Sequence, residues 1–278
     1  MADNQMFRRV AANQIVVKEG DASMQSRATP LIPNTLFLNS IPKSGTNLLI
    51  QIISGMPGWT HDPRDTFFDP LDYQTSFYRL GRVKDEHFAV GHIYYSPEWL
   101  RMLQRLQMKH LLIIRDLRDV LVSLCHFIVE KPEYHQMNAL RNYLLTHAPT
   151  QEERLLMLIE GIDDGDFHYP NFHDWVSPFY GWLKQPSTYV VRYEDFVRDE
   201  ASRRKMLAGL VRYLCDGNVD AKMQAVCVRR MEDSIDPRTC GTFRKGAIGD
   251  FATHFTPEIS KAFATVAGAL QQSFGYTL

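Results

Sequence analysis

The chain has 278 residues, 45% of them apolar, which is enough for one sizeable core and allows one large α/β domain or two small ones; no segment in the middle reads as a linker, so one domain is expected. Its 31 basic and 32 acidic residues nearly cancel to a net charge of -1, so no global field points to nucleic acid or an anionic membrane, and any anion site must be local. Cys125, Cys215, Cys227 and Cys240 have no CxxC spacing, which argues against a zinc cluster or a disulfide framework and for reduced, structural thiols.

Residues 1–33 are mixed and polar, and read as a loosely packed arm; Arg8-Arg9 is followed by no apolar h-region. No later run reaches the ~20 apolar residues of a membrane helix, so the expectation is a soluble, cytoplasmic protein with no membrane partner. The folded domain is expected over residues 34–278.

Thr35-Leu38 reads as a buried strand, and Thr46–Ile53 as a helix ending at Gly55, with the polar loop Ser40-Ile-Pro-Lys-Ser-Gly45 between them. Phe88–Ile93 and Lys109–Ile114 are further buried strands. Ser96-Pro-Glu98 opens a helix between them, with a cap residue and a proline at the first helical position.

Asp119 begins another helix, with Val120, Leu121, Leu124, Phe127 and Ile128 at helical spacing. Thr150-Gln-Glu-Glu153 is a capping box whose helix stops near Gly161, so residues about 130–176 form a helical excursion between core strands. Thr188–Arg192 is a fourth strand, followed by a helix over Glu200–Leu214, and Thr256-Pro-Glu258 caps a last one. Alternating strands and helices predict an α/β fold with a central, mostly parallel sheet flanked by helices.

A loop that leaves a parallel strand and turns into a helix aims several backbone N–H groups and the positive helix end at one point, which suits a phosphate or sulfate. Ser44, Gly45 and Thr46 let the backbone approach closely, and Lys43 adds a full charge. This is not GxxxxGK[ST], because the lysine precedes the glycine. After the strand ending at Ile114, "RDLRDVLVSLCHF" places Arg115 and Ser123 eight apart: a planar fork at a strand end and a hydroxyl on the next helix, both suited to phosphate. Near the C-terminus, Phe243-Arg-Lys-Gly-Ala-Ile-Gly-Asp-Phe251 adds a basic pair beside a glycine.

Taken together, these segments resemble the sulfotransferases that use 3′-phosphoadenosine 5′-phosphosulfate (PAPS), from about Thr35 to Thr256. Pro42-Lys-Ser-Gly-Thr46 is similar to the family's 5′-phosphosulfate loop, Arg115 and Ser123 to its 3′-phosphate motif, and RKGAIGDF to its RKGxxGDW segment. The resemblance implies the P-loop-like sulfotransferase fold in a single domain, with PAPS as cosubstrate, PAP as product and no metal. Ser44, Gly45, Thr46 and Asn47 would then hold the 5′-phosphate, and Arg115, Ser123, Arg244, Lys245 and Gly246 the 3′-phosphate. "VVRYEDF" makes Tyr193 a neighbour of the adenine, and "FAVGHIYYSP" makes His92 the general base, with Lys43 stabilising the leaving phosphate.

The chain departs from the family pattern at Leu48, where many members carry a tryptophan, and at Val90, where they carry a lysine; either Lys43 acts without that helper or another cation, such as Lys84, takes its place. The dimer motif is broken by Ala252 and Pro257, so the oligomeric state does not carry over. Each motif also has a plainer reading: an ordinary βα turn, an Arg115 paired with Asp119, a solvated basic loop, a core histidine and a core tyrosine. His168, His173 and Asp174 lack metal-ligand spacing, and Asp163-Asp-Gly-Asp166 reads as a solvated turn.

The acceptor is expected to be a small molecule with an apolar or aromatic hydroxyl, an amine being less favoured. It would be lined by residues 61–80 (Phe67, Phe68, Tyr73, Phe77, Tyr78), by Tyr94-Tyr95 and by the excursion. The alternatives are a P-loop kinase, which would need a GK[ST] lysine, and a PAP-binding module without catalysis.

Overall fold

The computed structural model describes residues 35–68, 72–165 and 167–278, and the expected N-terminal arm lies outside them. The elements in order are β1 (Leu36–Ser40), α1 (Thr46–Gly55), β2 (Thr60–Phe67), α2 (Tyr73–Leu80), β3 (His87–Gly91), α3 (Pro97–Arg105), β4 (Lys109–Ile114) and α4 (Leu117–Glu130). Then come α5 (Asn138–His147), α6 (Gln151–Glu160), a hairpin of β5 (Ile162–Asp163) and β6 (His168–Tyr169), α7 (Phe172–Val176), α8 (Tyr180–Leu183) and β7 (Thr188–Arg192). The chain closes with α9 (Tyr193–Val197), α10 (Glu200–Leu214), α11 (Ala221–Asp233) and α12 (Pro257–Ser273).

Five strands form one sheet in the order β2-β3-β1-β4-β7, and every pairing is parallel. The register sets Leu36 opposite both Phe88 and Lys109, and His110 opposite Thr188. Successive strand residues point to opposite faces. Phe37, Ala89 and Leu112 therefore enter one core beneath α4, α6 and α12, while Leu36, Leu38, Phe88, Val90 and Leu111 enter the other beneath α1, α10 and α11. Both faces are covered, as the continuous apolar strands require.

Three expectations need correction. The described part of residues 61–80 is mostly regular structure rather than an acceptor loop: Thr60–Phe67 is the edge strand β2, and Tyr73–Leu80 is α2. The polar sequence THDPRDTF hides that strand, because Pro63 and a register shift between His61 and Thr66 are tolerated only at a sheet edge. The fourth helix starts at Leu117 rather than Asp119, since the Asp116 carboxylate accepts from the Arg118 N–H and caps it. The excursion is helical as expected but also holds the β5–β6 hairpin, while the box at Thr150 and the cap at Thr256 form as read.

Candidate active site

β1 is the central strand, and the loop from its end into α1 has an unusual backbone. Lys43 has φ 72° and Gly45 φ 107°, in the left-handed region that favours glycine. A Cβ at Gly45 would lie 2.6 Å from Cδ2 of Tyr193, so the position excludes a side chain on steric grounds too. Unlike α3, α4, α6, α10 and α12, α1 has no side chain capping its first turn. Its N–H groups are thereby left to a ligand. Ser44 is the one loop candidate that does not line the cavity described below; it is fully buried, and its hydroxyl has no partner.

The Lys43 ammonium lies over the Phe127 ring, 4.0 Å from its centroid. Burial lowers its pKa to about 8; Cys240 opposes the shift, while Arg115, Lys131 and Arg244 add to it. His92 follows directly on β3. Its Nδ1 is 2.9 Å from the Ser40 carbonyl and 3.0 Å from the Ser40 hydroxyl. A carbonyl only accepts, so Nδ1 carries the hydrogen and Nε2 keeps a free lone pair. The ring stacks on Phe68 at 4.5 Å, and burial lowers its pKa to about 4, with the Ser40 bond opposing and Lys43 assisting.

Ser40 was not anticipated as a site residue. Its hydroxyl is also 2.8 Å from Thr46 Oγ1, so one short chain joins the imidazole to the start of α1. The only signal in the sequence was a hydroxyl residue two places before Pro42.

Arg115 leaves the end of β4 with its guanidinium over the Tyr193 ring at 4.3 Å. Its Nη2 donates to the Ala247 carbonyl at 2.8 Å and to Asp119 at 3.3 Å, while its buried Nε has no partner. Tyr193, expected beside adenine, is thus packed between Gly45 and Arg115, among the phosphate-binding candidates. Arg244 and Lys245 both pair with Asp250. Burial raises the Asp250 pKa, but the bonds to these two cations outweigh it and hold the group well below the usual carboxylate range. Gly246 has φ 67°, and a Cβ there would meet the Phe243 ring at 2.9 Å. Asn47 Nδ2 donates to Thr242 Oγ1 at 2.7 Å, tying α1 to this C-terminal segment.

A cavity of about 1450 Å³ collects these groups: Lys43, Gly45–Asn47, Arg115, Ser123, Tyr193 and Arg244–Gly246 line it together with His92. Phe68, Tyr94, Tyr95, Trp99, Trp175 and Phe179 also line it. Tyr73, Phe77 and Tyr78 do not, and Phe67 is buried in the core, so of the aromatics named in 61–80 only Phe68 belongs to the site. Lys84 does not substitute for the missing lysine, because it precedes β3 whereas His92 follows it. Val90 is fully buried. Among the described residues, no cluster of His, Cys, Asp and Glu could hold a metal ion, and no helix is long and apolar enough to cross a membrane.

A parallel sheet whose central strand feeds an uncapped helix N-terminus, with cations from three segments lining one cavity, defines an α/β protein with a cationic site suited to an anionic ligand. The family model for the sulfotransferase domain matches residues 33–275, so the chain belongs to the sulfotransferase family and is an enzyme of the PAPS-dependent class. It is 26% identical to an amine sulfotransferase of Oryctolagus cuniculus over 82% of this chain and 77% of that protein. It is 24% identical to sulfotransferase 2A6 of Mus musculus over 91% and 85% of the two chains. Its fold matches mouse sulfotransferase SULT7A1 complexed with PAP, with a TM-score of 0.61 and 21% identity over 87% of this chain and 88% of that one.

Proposed function

We propose that this enzyme sulfates the hydroxyl of a small, neutral aromatic or apolar acceptor, with His92 as general base and Lys43 as the charge that stabilises the departing phosphate. The observation that carries this reading is the imidazole beside Lys43 in one cavity, its Nδ1–H committed to Ser40 and its Nε2 free to take a proton. PAPS would supply the sulfuryl group and leave as PAP. The uncapped first turn of α1 and the loop glycine fit its 5′-phosphate, and the unpartnered Arg115 Nε, with Ser123, Arg244, Lys245 and Gly246, fits its 3′-phosphate.

Sulfuryl transfer, like phosphoryl transfer, spreads charge over oxygens, so positioning and electrostatic stabilisation dominate. His92 Nε2 accepts the acceptor's hydroxyl proton as the bond to sulfur forms. Protonated Lys43 faces the charge growing on the bridging oxygen.

A neutral acceptor is favoured because the carboxylates lining the cavity, Glu200, Glu232 and Asp233, sit on α10 and α11, and Glu232 is already paired with Arg203 and Arg204. Among the described residues, no carboxylate lines the cavity beside the aromatic residues around His92. A second reading, an amine acceptor, is favoured by the name of the rabbit relative. The reading extends to a cytoplasmic enzyme, since all four cysteines are unpaired.

The test is titration with PAP and with AMP, which differ only in the 3′-phosphate, followed by PAPS turnover against matched phenols and amines. Tighter PAP binding, and phenol turnover reduced ~10²–10⁴-fold by His92→Ala, are expected. Equal affinity for PAP and AMP overturns the donor assignment, and faster turnover of the amines overturns the acceptor assignment.

A further inference from the structure

Asp119 is 1% exposed, lies in the first turn of α4 and does not line the cavity. A buried carboxylate is costly unless it is well paired. Asp119 has three donors, two from a distant segment and one four residues before it. Oδ2 accepts from the Gly249 N–H at 2.9 Å and from Arg115 Nη2 at 3.3 Å, and Oδ1 accepts from the Phe251 N–H at 2.9 Å. The capping of α4 needs none of this, because Asp116 already performs it.

The two N–H groups belong to the segment that carries Arg244, Lys245 and Gly246, and the guanidinium belongs to the residue that follows β4 and lines the same cavity. The same Arg115 nitrogen that reaches Asp119 also donates to the Ala247 carbonyl. One carboxylate therefore fixes both the position of the fork and the register of the segment that must meet it.

Resting on the donor-site reading above, we propose that Asp119 is a positioning residue for the 3′-phosphate end of the donor. It touches no ligand and sets the distance at which Arg115 and residues 244–246 converge. In Asp119→Asn one oxygen still accepts, but the other becomes an NH2 that opposes either the Phe251 N–H or the Gly249 N–H with Arg115. The arginine and the loop then lose their common reference.

The experiment is calorimetric titration of wild type and D119N with PAP and with AMP at one ionic strength. PAP affinity is expected to fall at least tenfold in D119N while AMP affinity stays within twofold, so the PAP:AMP ratio collapses. Equal losses for both nucleotides, or a ratio that is retained or increased, overturn the proposal and leave Asp119 a fold residue only. A wild-type ratio of one would instead overturn the underlying donor assignment. Should D119N not fold, Gly249→Ala serves: Gly249 has φ 73° and a Cβ there meets nothing within 4 Å, so the substitution strains the backbone that presents its N–H without crowding the core. G249A is expected to lower the PAP:AMP ratio at least threefold, and an unchanged ratio overturns the proposal.

Discussion

His92 and Lys43 present two titrations that bracket neutral pH. Burial lowers the His92 pKa to about 4, so its Nε2 is free to accept a proton above that pH and is blocked below it. Burial lowers that of Lys43 to about 8, so its charge is present below that pH and lost above it. The expected kcat/KM profile with PAPS is a bell with limbs near pH 4 and 8, and Lys43→Arg moves the alkaline limb outward because a guanidinium does not titrate there. Profiles recorded on wild type and K43R check both statements; an alkaline limb that stays in place assigns it to another group. If His92 takes the acceptor's proton as proposed, His92→Ala reduces kcat by ~10²–10⁴-fold while PAP affinity stays within about threefold.

The loop between β1 and α1 is an element whose backbone demands glycine. Gly45→Ala combines a φ of 107° with a 2.6 Å approach to Tyr193, whereas Gly58 has φ 82° and nothing within 4 Å of where an alanine Cβ would stand. Both alanines strain the chain by ~1 kcal/mol or more. Only G45A is expected to weaken PAP binding, at least tenfold, since it displaces the ring on which Arg115 rests; comparable PAP affinities in G45A and G58A would refute that. The loop was legible because a proline, two small residues and a glycine stand between apolar runs; Lys109–Ile114 and Thr188–Arg192 fell within their observed bounds through their apolar runs, and Glu200–Leu214 through the helical spacing of its buried residues. β2 was illegible because an edge strand need not be apolar. Ser40 and Asp119 were illegible as site residues because their roles arise only when segments 52 and 130 residues away fold against them.

At the scale of the molecule, two apolar cores enclose the sheet, and they bury a histidine that does not line the cavity described above. His110 on β4 is 3% exposed, with its ring 4.2 Å from that of Trp182 and its Nδ1 2.8 Å from Thr188 Oγ1; its Nε2 has no partner. Burial lowers its pKa from 6.5 to about 3, so the folded state holds it neutral where the unfolded chain protonates it. A lowered folded pKa stabilises above the unfolded value, and that contribution is lost as pH falls from 6.5 toward 3. At pH 5 the loss amounts to about 2 kcal/mol relative to pH 8. Asp250, held low by Arg244 and Lys245, acts with the same sign but in a window below its unfolded value near 3.8, so it does not contribute between pH 8 and 5. Urea unfolding at pH 8, 6.5 and 5 should therefore show a falling midpoint in wild type and a flatter one in His110→Gln, which removes the titration at some cost in absolute stability. Parallel slopes in the two proteins would place the proton uptake elsewhere, first at His92 and His61, whose pKa values burial also lowers.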